Sequence, residues 1–185
     1  AQPKLYPCAH KSKRRACAPT PRHPTTTMIL VVAATEVEMR AFLQAAPQPP
    51  CRQLLCGIGP VEAAFQLSLA LSAMQTLPDA VLNIGVAGAY RRERNPATLL
   101  DICVAQQEEL GDFGRCQAQT LLPLSVPNTS TPSSFALADG LRLRMTERLS
   151  AQGIPHTSGR FITVNSVSAD RQRGAMLLQR YPDAL

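Results

Sequence analysis

The sequence predicts an α/β domain built around a largely parallel or mixed sheet. Three observations carry that prediction. Met28–Ala34 (MILVVAA) and Ala80–Ile84 (AVLNI) are short apolar runs that read as strands covered on both faces. Each run is followed by turn or capping residues and then by apolar residues at helical spacing, so strands and helices alternate. The chain has 185 residues, 45% apolar and 17% charged, which is enough material for one substantial core. That composition also excludes a collagen, a coiled coil and a wholly disordered chain.

The elements follow in order. After the first strand, Thr35-Glu36-Val37-Glu38 matches a capping box, and Met39, Phe42 and Leu43 continue at helical spacing until Pro47–Pro50 ends the helix. Gln53–Cys56 reads as a short strand. Gly57-Ile58-Gly59 turns the chain, and Pro60 opens a helix whose Ala64, Leu67, Leu71 and Met74 form one core stripe. Ala80–Ile84 ends in Gly85-Val86-Ala87-Gly88, and Leu99–Ala105 (LLDICVA) is a fourth strand. Residues 123–134 read as a polar, Pro-rich loop. Asp139 is placed as the cap of a helix with Leu141, Met145 and Leu149 on one face, closed by Gly153. Gly159–Asn165 is a fifth strand, and Asp170 starts a last helix carrying Leu177, Leu178 and Tyr181. The longest unbroken apolar run is seven residues, far below the ~20 that a spanning helix needs.

The formal charge of +6 resides in residues 1–27, which hold Lys4, Lys11, Lys13, Arg14, Arg15 and Arg22 and no acid. Residues 28–185 balance 13 Arg against 13 Asp and Glu. The basic character therefore says nothing about partners of the folded body. The tail has five Pro and no apolar stretch, so it is expected to be disordered, and it lacks the apolar region of a secretory signal. Its KSKRR cluster reads either as a solvated extension, or sequence upstream of a start at Met28, or as a contact for nucleic acid or another anionic surface. An Arg/Ser-type presequence is a third reading.

Six cysteines (8, 17, 51, 56, 103 and 116) form no CxxC pair, and His10, His23 and His156 stand at no ligand spacing from them. No metal and no cofactor are expected. Cys56 and Cys103 read as small buried hydrophobes, and the chain as cytoplasmic and reduced.

Ligand sites of open α/β sheets gather at the carboxyl ends of strands. Here those ends are Thr35–Glu38, Gly57-Ile58-Gly59 and Gly85–Gly88. Glycine lets backbone approach a ligand, and helix starts leave N–H groups free. The glycines fit neither the dinucleotide fingerprint nor a P-loop, and Gly57-Ile58-Gly59-Pro60 reads equally as a plain turn into a helix. Glu38 reads as a cap on spacing alone.

The segments VVAATEVEM, LCGIGPVEAA, LNIGVAGAY, DICVAQQEELGDFG and FITVNSVSAD stand in order with suitable gaps. Together they resemble the nucleoside phosphorylase/hydrolase superfamily over residues 28–185. Within it they are most similar to the futalosine hydrolases, and next to the 5′-methylthioadenosine/S-adenosylhomocysteine nucleosidases. The resemblance implies a three-layer αβα fold with a mixed sheet, usually a homodimer, that cleaves the N-glycosidic bond of a purine nucleoside with water. It implies that Glu38 orients and deprotonates the water, with Glu36 as the neighbouring competitor on another helix face. Val86, Ala87 and Gly88 match the segment lining the ribose and base. Val86 stands where the methylthioadenosine nucleosidases carry Ser, a departure that agrees better with futalosine hydrolase.

Asn165–Ser168 matches the segment packed on the base, with Val167 or Ser168 in place of an aromatic residue. Thr35 and Ile58 complete the expected substrate contacts. The family continues into a Glu-Met-Glu strand and a later Asp that protonates the purine. This chain stops at Leu185 before both, so the expectation is a C-terminally incomplete member. A zero-charge body with 4% aromatic residues argues against nucleic acid as its partner.

Overall fold

The computed structural model describes residues 28–45, 51–90, 97–118 and 120–185. The basic tail of residues 1–27 and the Pro47–Pro50 segment lie outside these. Described residues form two units in sequence order.

The first unit contains β1 (Ile29–Ala33), α1 (Glu36–Ala45), β2 (Cys51–Leu55), α2 (Pro60–Ser72) and β3 (Ala80–Ile84). Its sheet has the order β2-β1-β3, all parallel, with Ala33 opposite both Leu55 and Ile84. The apolar run made β1 the central strand, and its alternate side chains serve opposite faces. Leu30 and Val32 pack with Cys56 against Ala63, Leu67, Leu71 and Met74, the α2 side. Val31 and Ala33 pack with Met39 against Phe42 and Leu43, the α1 side. Helix, sheet and helix thus form three layers. Side chains as buried as Leu30 and Val31 each contribute about 1.5–3 kcal/mol by transfer from water. The expected stripe of α2 is shifted by one residue at its start: Ala63 faces the sheet, whereas Ala64 is exposed.

The second unit contains β4 (Ile102–Leu110), β5 (Arg115–Gln117), β6 (Thr120–Leu122), β7 (Ser134–Ala136), α3 (Asp139–Ala151), β8 (His156–Thr163) and α4 (Arg171–Arg180). Its sheet has the order β7-β4-β8, antiparallel at β7 and parallel at β8, and β5 and β6 form a separate antiparallel hairpin. This second sheet is therefore mixed, as expected. The β4–β8 register shifts between Ala105 and Gln107. Leu177 of α4 is fully buried and Tyr181 nearly so. Leu185 donates its N–H to the Arg160 carbonyl at 3.1 Å. Substantial packing between elements stays within one unit or the other.

Three sequence expectations are corrected. Leu99 and Leu100 form a turn with Leu100 at φ 69°, and the fourth strand begins at Ile102. The fifth strand spans His156–Thr163 rather than starting at Gly159. Asp139 does not cap α3: Ala138 occupies the cap position without a side-chain bond, and Asp139 pairs with Arg142 at 2.9 Å instead. Asp170 does cap α4, accepting from the Arg173 N–H at 2.8 Å.

Candidate active site

Parallel pairing in the first sheet brings three carboxyl ends to one edge: Thr35 after β1, Gly57-Ile58-Gly59 after β2 and Gly85–Gly88 after β3. The capping box is formed. The Thr35 hydroxyl accepts from the Glu38 N–H at 3.4 Å, and Glu38 Oε2 accepts from the Thr35 N–H at 3.0 Å. The Thr35 hydroxyl also donates to Oε2 at 2.8 Å. Glu38 does more than cap its own helix. Its Oε1 accepts from the Val86 N–H at 2.9 Å, which joins α1 to the chain leaving β3.

Gly85 makes that approach possible, since a Cβ there would lie 2.7 Å from Glu38 Oε1. The Val86 N–H, followed by the Thr35 hydroxyl and backbone, holds the Glu38 carboxyl below the usual glutamate range, against an opposing effect of burial. Of the four lone-pair positions of a carboxylate, Thr35 fills both on Oε2, and the Val86 N–H takes one on Oε1. Glu38 is thus an acceptor held at both carboxylate oxygens, by Thr35 on one and by Val86 on the other. Glu36 points to solvent and pairs with Arg40 at 3.0 Å.

Around this carboxylate, Ile58, Val86, Ala87 and Gly88 are exposed, Ile58 at 79% and Val86 at 89%. Positive φ at Gly57 (78°) and Gly59 (93°) makes the turn that presents Ile58, with Pro60 opening α2 behind it. The Thr35 hydroxyl and N–H both engage Glu38. Val167 and Ser168 lie beyond β8 on the second sheet, Val167 exposed and Ser168 half-buried.

A second carboxylate, which sequence reasoning did not single out, anchors that segment. Asp112 accepts from the Asn165 N–H at 2.8 Å, from Asn165 Nδ2 at 2.9 Å and from Arg173 Nη2 at 3.1 Å. Tyr90, half-buried, lies in the electrostatic field of both Asp112 and Arg173, and burial pushes its phenol up. The chain leaving β3 runs from the Glu38 anchor at Val86 to the half-buried Tyr90.

Elsewhere in the second unit, Glu109 is buried and accepts at Oε1 from Gln107 Nε2 (2.8 Å), Ser134 Oγ (3.0 Å) and Arg160 Nη1 (3.2 Å). An open groove of about 540 Å³ lies between the β5–β6 hairpin and α4. It contains none of the expected site residues. Among the described residues no three His, Cys, Asp or Glu side chains gather closely enough to hold a metal ion. No helix among them is long and apolar enough to cross a membrane.

A three-layer α/β unit with glycine turns and a glutamate held by backbone N–H at its strand ends has the architecture in which open α/β sheets gather their ligand sites. The family model described as the Phosphorylase superfamily matches residues 49–185, and the chain belongs to that family. No curated protein matches it in sequence. Among solved structures, an S-adenosylhomocysteine nucleosidase from Streptococcus pyogenes, in complex with 5-methylthiotubericidin, superposes with a TM-score of 0.69. Identity is 15%, over 87% of this chain and 72% of that one. A 5′-methylthioadenosine/S-adenosylhomocysteine nucleosidase from Neisseria meningitidis, in complex with methylthio-immucillin-A, gives 0.68 at 16% identity, over 86% and 75%. A futalosine hydrolase mutant of Helicobacter pylori gives 0.68 at 16%, over 86% and 78%. At these identities the likeness establishes the nucleoside phosphorylase/hydrolase-like fold.

Proposed function

We propose that this chain is an N-glycosidic hydrolase of purine nucleosides and that its substrate is futalosine, cleaved to hypoxanthine and dehypoxanthine futalosine in menaquinone biosynthesis in the cytoplasm. The observation that carries the reading is Glu38: a carboxylate kept below the usual glutamate range and fixed by Thr35 and Val86 beside the exposed Gly85–Gly88 segment. A water donating to this carboxylate transfers its proton to Glu38 as its oxygen bonds to the anomeric carbon of the ribose. The carbon–nitrogen bond to the purine breaks with its electron pair on the base nitrogen; that nitrogen takes a proton from solvent to complete hypoxanthine, and Glu38 returns its own to solvent. Val86, Ala87 and Gly88 line the ribose and base, Ile58 borders them, and Val167 or Ser168 closes over the purine. Val86 supports futalosine, because the resemblance puts Ser there in methylthioadenosine nucleosidases.

The second reading, hydrolysis of 5′-methylthioadenosine or S-adenosylhomocysteine, is favoured by the nucleosidases among the superposed structures. A third is a chain without catalysis. The test is release of free base from futalosine and from methylthioadenosine, by residues 28–185 and by the same chain extended with the Glu-Met-Glu strand and Asp of the family. Hypoxanthine from futalosine supports the proposal. Adenine from methylthioadenosine alone moves the substrate to the second reading, and an inert extended chain rejects hydrolysis.

The protein works as a homodimer, a reading supported by the outer face of α2. Val61, Phe65 and Leu69 are exposed there at 80%, 61% and 55%, with Ser68 and Ser72 between them and Glu62 at the edge of the stripe. An exposed apolar stripe of this kind can be covered by its own copy. A monomer mass in sedimentation at micromolar concentration would reject this.

A further inference from the structure

Residues 164–170 join β8 to α4 and belong to no helix or strand. Val167, in the middle of this segment, is 90% exposed, and Asn165, Ser166 and Asp170 are exposed as well. Exposed backbone outside a ladder needs another source of order. Both ends of the segment have one. Asn165 gives Asp112 its N–H (2.8 Å, to Oδ2) and its side-chain amide (2.9 Å, to Oδ1). Asp170 accepts from the Arg173 N–H at 2.8 Å, and the Arg173 guanidinium reaches back to Asp112 Oδ2 at 3.1 Å. These bonds link Asn165, Asp112, Arg173 and Asp170 into a ring, and residues 166–169 are the span between its two ends.

The ring stands on a fixed turn. Asp112 follows β4, next to Gly111, whose N–H bonds the Thr163 carbonyl at 2.8 Å and which has no room for a Cβ beside Ile162. On its other side the Phe113 carbonyl accepts from Arg180 Nη1 at 3.3 Å. Arg173, Leu177 and Arg180 recur at i, i+4 and i+7, so they share one face of α4. Leu177 is fully buried there, and the two arginines both reach the turn after β4. The Asp112 side chain is only 11% exposed, which withdraws its hydrogen bonds from competing water.

We infer that Asp112 and Arg173 are positioning residues of the candidate active site: together they latch both ends of the 165–170 segment and so hold Val167 and Ser168 in place for the purine. The inference rests on the proposed function for what the segment meets, whereas the latch is a claim about the chain. The chemistry of the wall makes the latch matter. Val167 or Ser168 stands where the resemblance puts an aromatic residue, so the contact with a ring face is small and depends on close approach. A gap of roughly 0.5–1 Å already forfeits a quarter to a half of a dispersion contact. Hydrogen bonds to a charged group are the stronger kind, so losing Asp112 releases both ends together.

The test is hydrogen exchange of single amides, read by NMR on the protein, on Asp112→Ala and on Arg173→Lys, which keeps the charge without the planar fork. In Asp112→Ala the Asn165 amide loses its acceptor and exchanges faster in any case. The diagnostic amide is that of residue 173, whose own acceptor, Asp170, is untouched. It should exchange about tenfold faster in Asp112→Ala and less so in Arg173→Lys, as for loss of a hydrogen bond to a charged group. Amides of α3 should be unchanged. Hypoxanthine binding, measured by calorimetry, should weaken in the same order, while dehypoxanthine futalosine, which lacks the base, should bind as it does to the parent. Faster exchange at Asn165 alone, loosening spread through β4 and β8 in both variants, or loosening of both ends with unchanged hypoxanthine affinity overturns the positioning role. Loosening of both ends in a protein whose parent binds no hypoxanthine leaves the latch standing and rejects the ligand reading instead.

Discussion

Each unit of the molecule places a glutamate against a threonine hydroxyl at 2.8 Å, yet the two carboxyls shift in opposite directions. In the first unit Glu38, bonded to Thr35, is held below the ordinary glutamate range. In the second, Glu108, bonded to Thr163, is raised above it. The hydroxyl bond is the same, so it does not decide the sign. What differs is the backbone and the burial. The Val86 N–H is the largest influence on Glu38 and exceeds a modest burial. Burial is the largest influence on Glu108, and the repulsion of neighbouring Glu109 adds to it. One glutamate is built to stay charged at a strand end, and the other resists charge within a ladder.

The contrast breaks most sharply at Glu38. Glu38→Gln should retain nucleoside binding and lose about 10²–10⁴-fold in hydrolysis, the contribution of a general base. Single-turnover release of hypoxanthine measures it, and near-native turnover would return Glu38 to a capping role.

A smaller effect is expected at Thr35. Thr35→Ala should cost about 1 kcal/mol of stability as a lost cap. Hydrogen bonds donated to the ionised form lower a pKa, so removing them raises that of Glu38. The acid limb of kcat/KM should therefore move to higher pH, and Thr35→Ser should restore it. A limb that stays in place in Thr35→Ala would separate the cap from the chemistry.

The smallest change belongs to Glu108, and its sign depends on pH. A raised folded-state pKa adds stability that is fully present below the unfolded value and lost as pH rises through the folded one. Glu108→Gln should thus lose stability relative to the parent in acid and recover it toward neutrality, within about 1 kcal/mol overall. Glu38 has the opposite dependence: its contribution is present above the unfolded value and lost as pH falls through the folded one. Melting midpoints of Glu38→Gln and Glu108→Gln across pH 3–8 should therefore diverge from the parent at opposite ends, and parallel curves would erase the distinction.

The same two units differ in how much of them is legible in the sequence. Strand β1, α1, α2 and β3 are written locally: a continuous apolar run, a four-residue capping box, Pro at a helix start, and glycines after the strands. Glu38 is legible as a cap because its partner Thr35 is three residues away, while its expected role with water comes from the resemblance alone. The second unit hides its order. The outer half of β4, QQEEL, looks too polar for an inner strand, but Glu109 is satisfied there by Ser134 and Arg160, 25 and 51 residues distant. Strands β5, β6 and β7 have three residues each, too short for periodicity to register. Asp112 meets Asn165 across 53 residues, so no local motif announces that cluster.

The stretch from Val86 to Tyr90 also acts as a ruler. An extended chain advances at most about 3.6 Å per residue, so these four steps reach no farther than roughly 14 Å. One end is pinned on Glu38, and the other carries the half-buried Tyr90. The span from that anchor to the tyrosine therefore has an upper limit written in covalent geometry rather than in packing. Whatever else holds Tyr90, its backbone can stand no farther from Val86 than the number of residues between them allows.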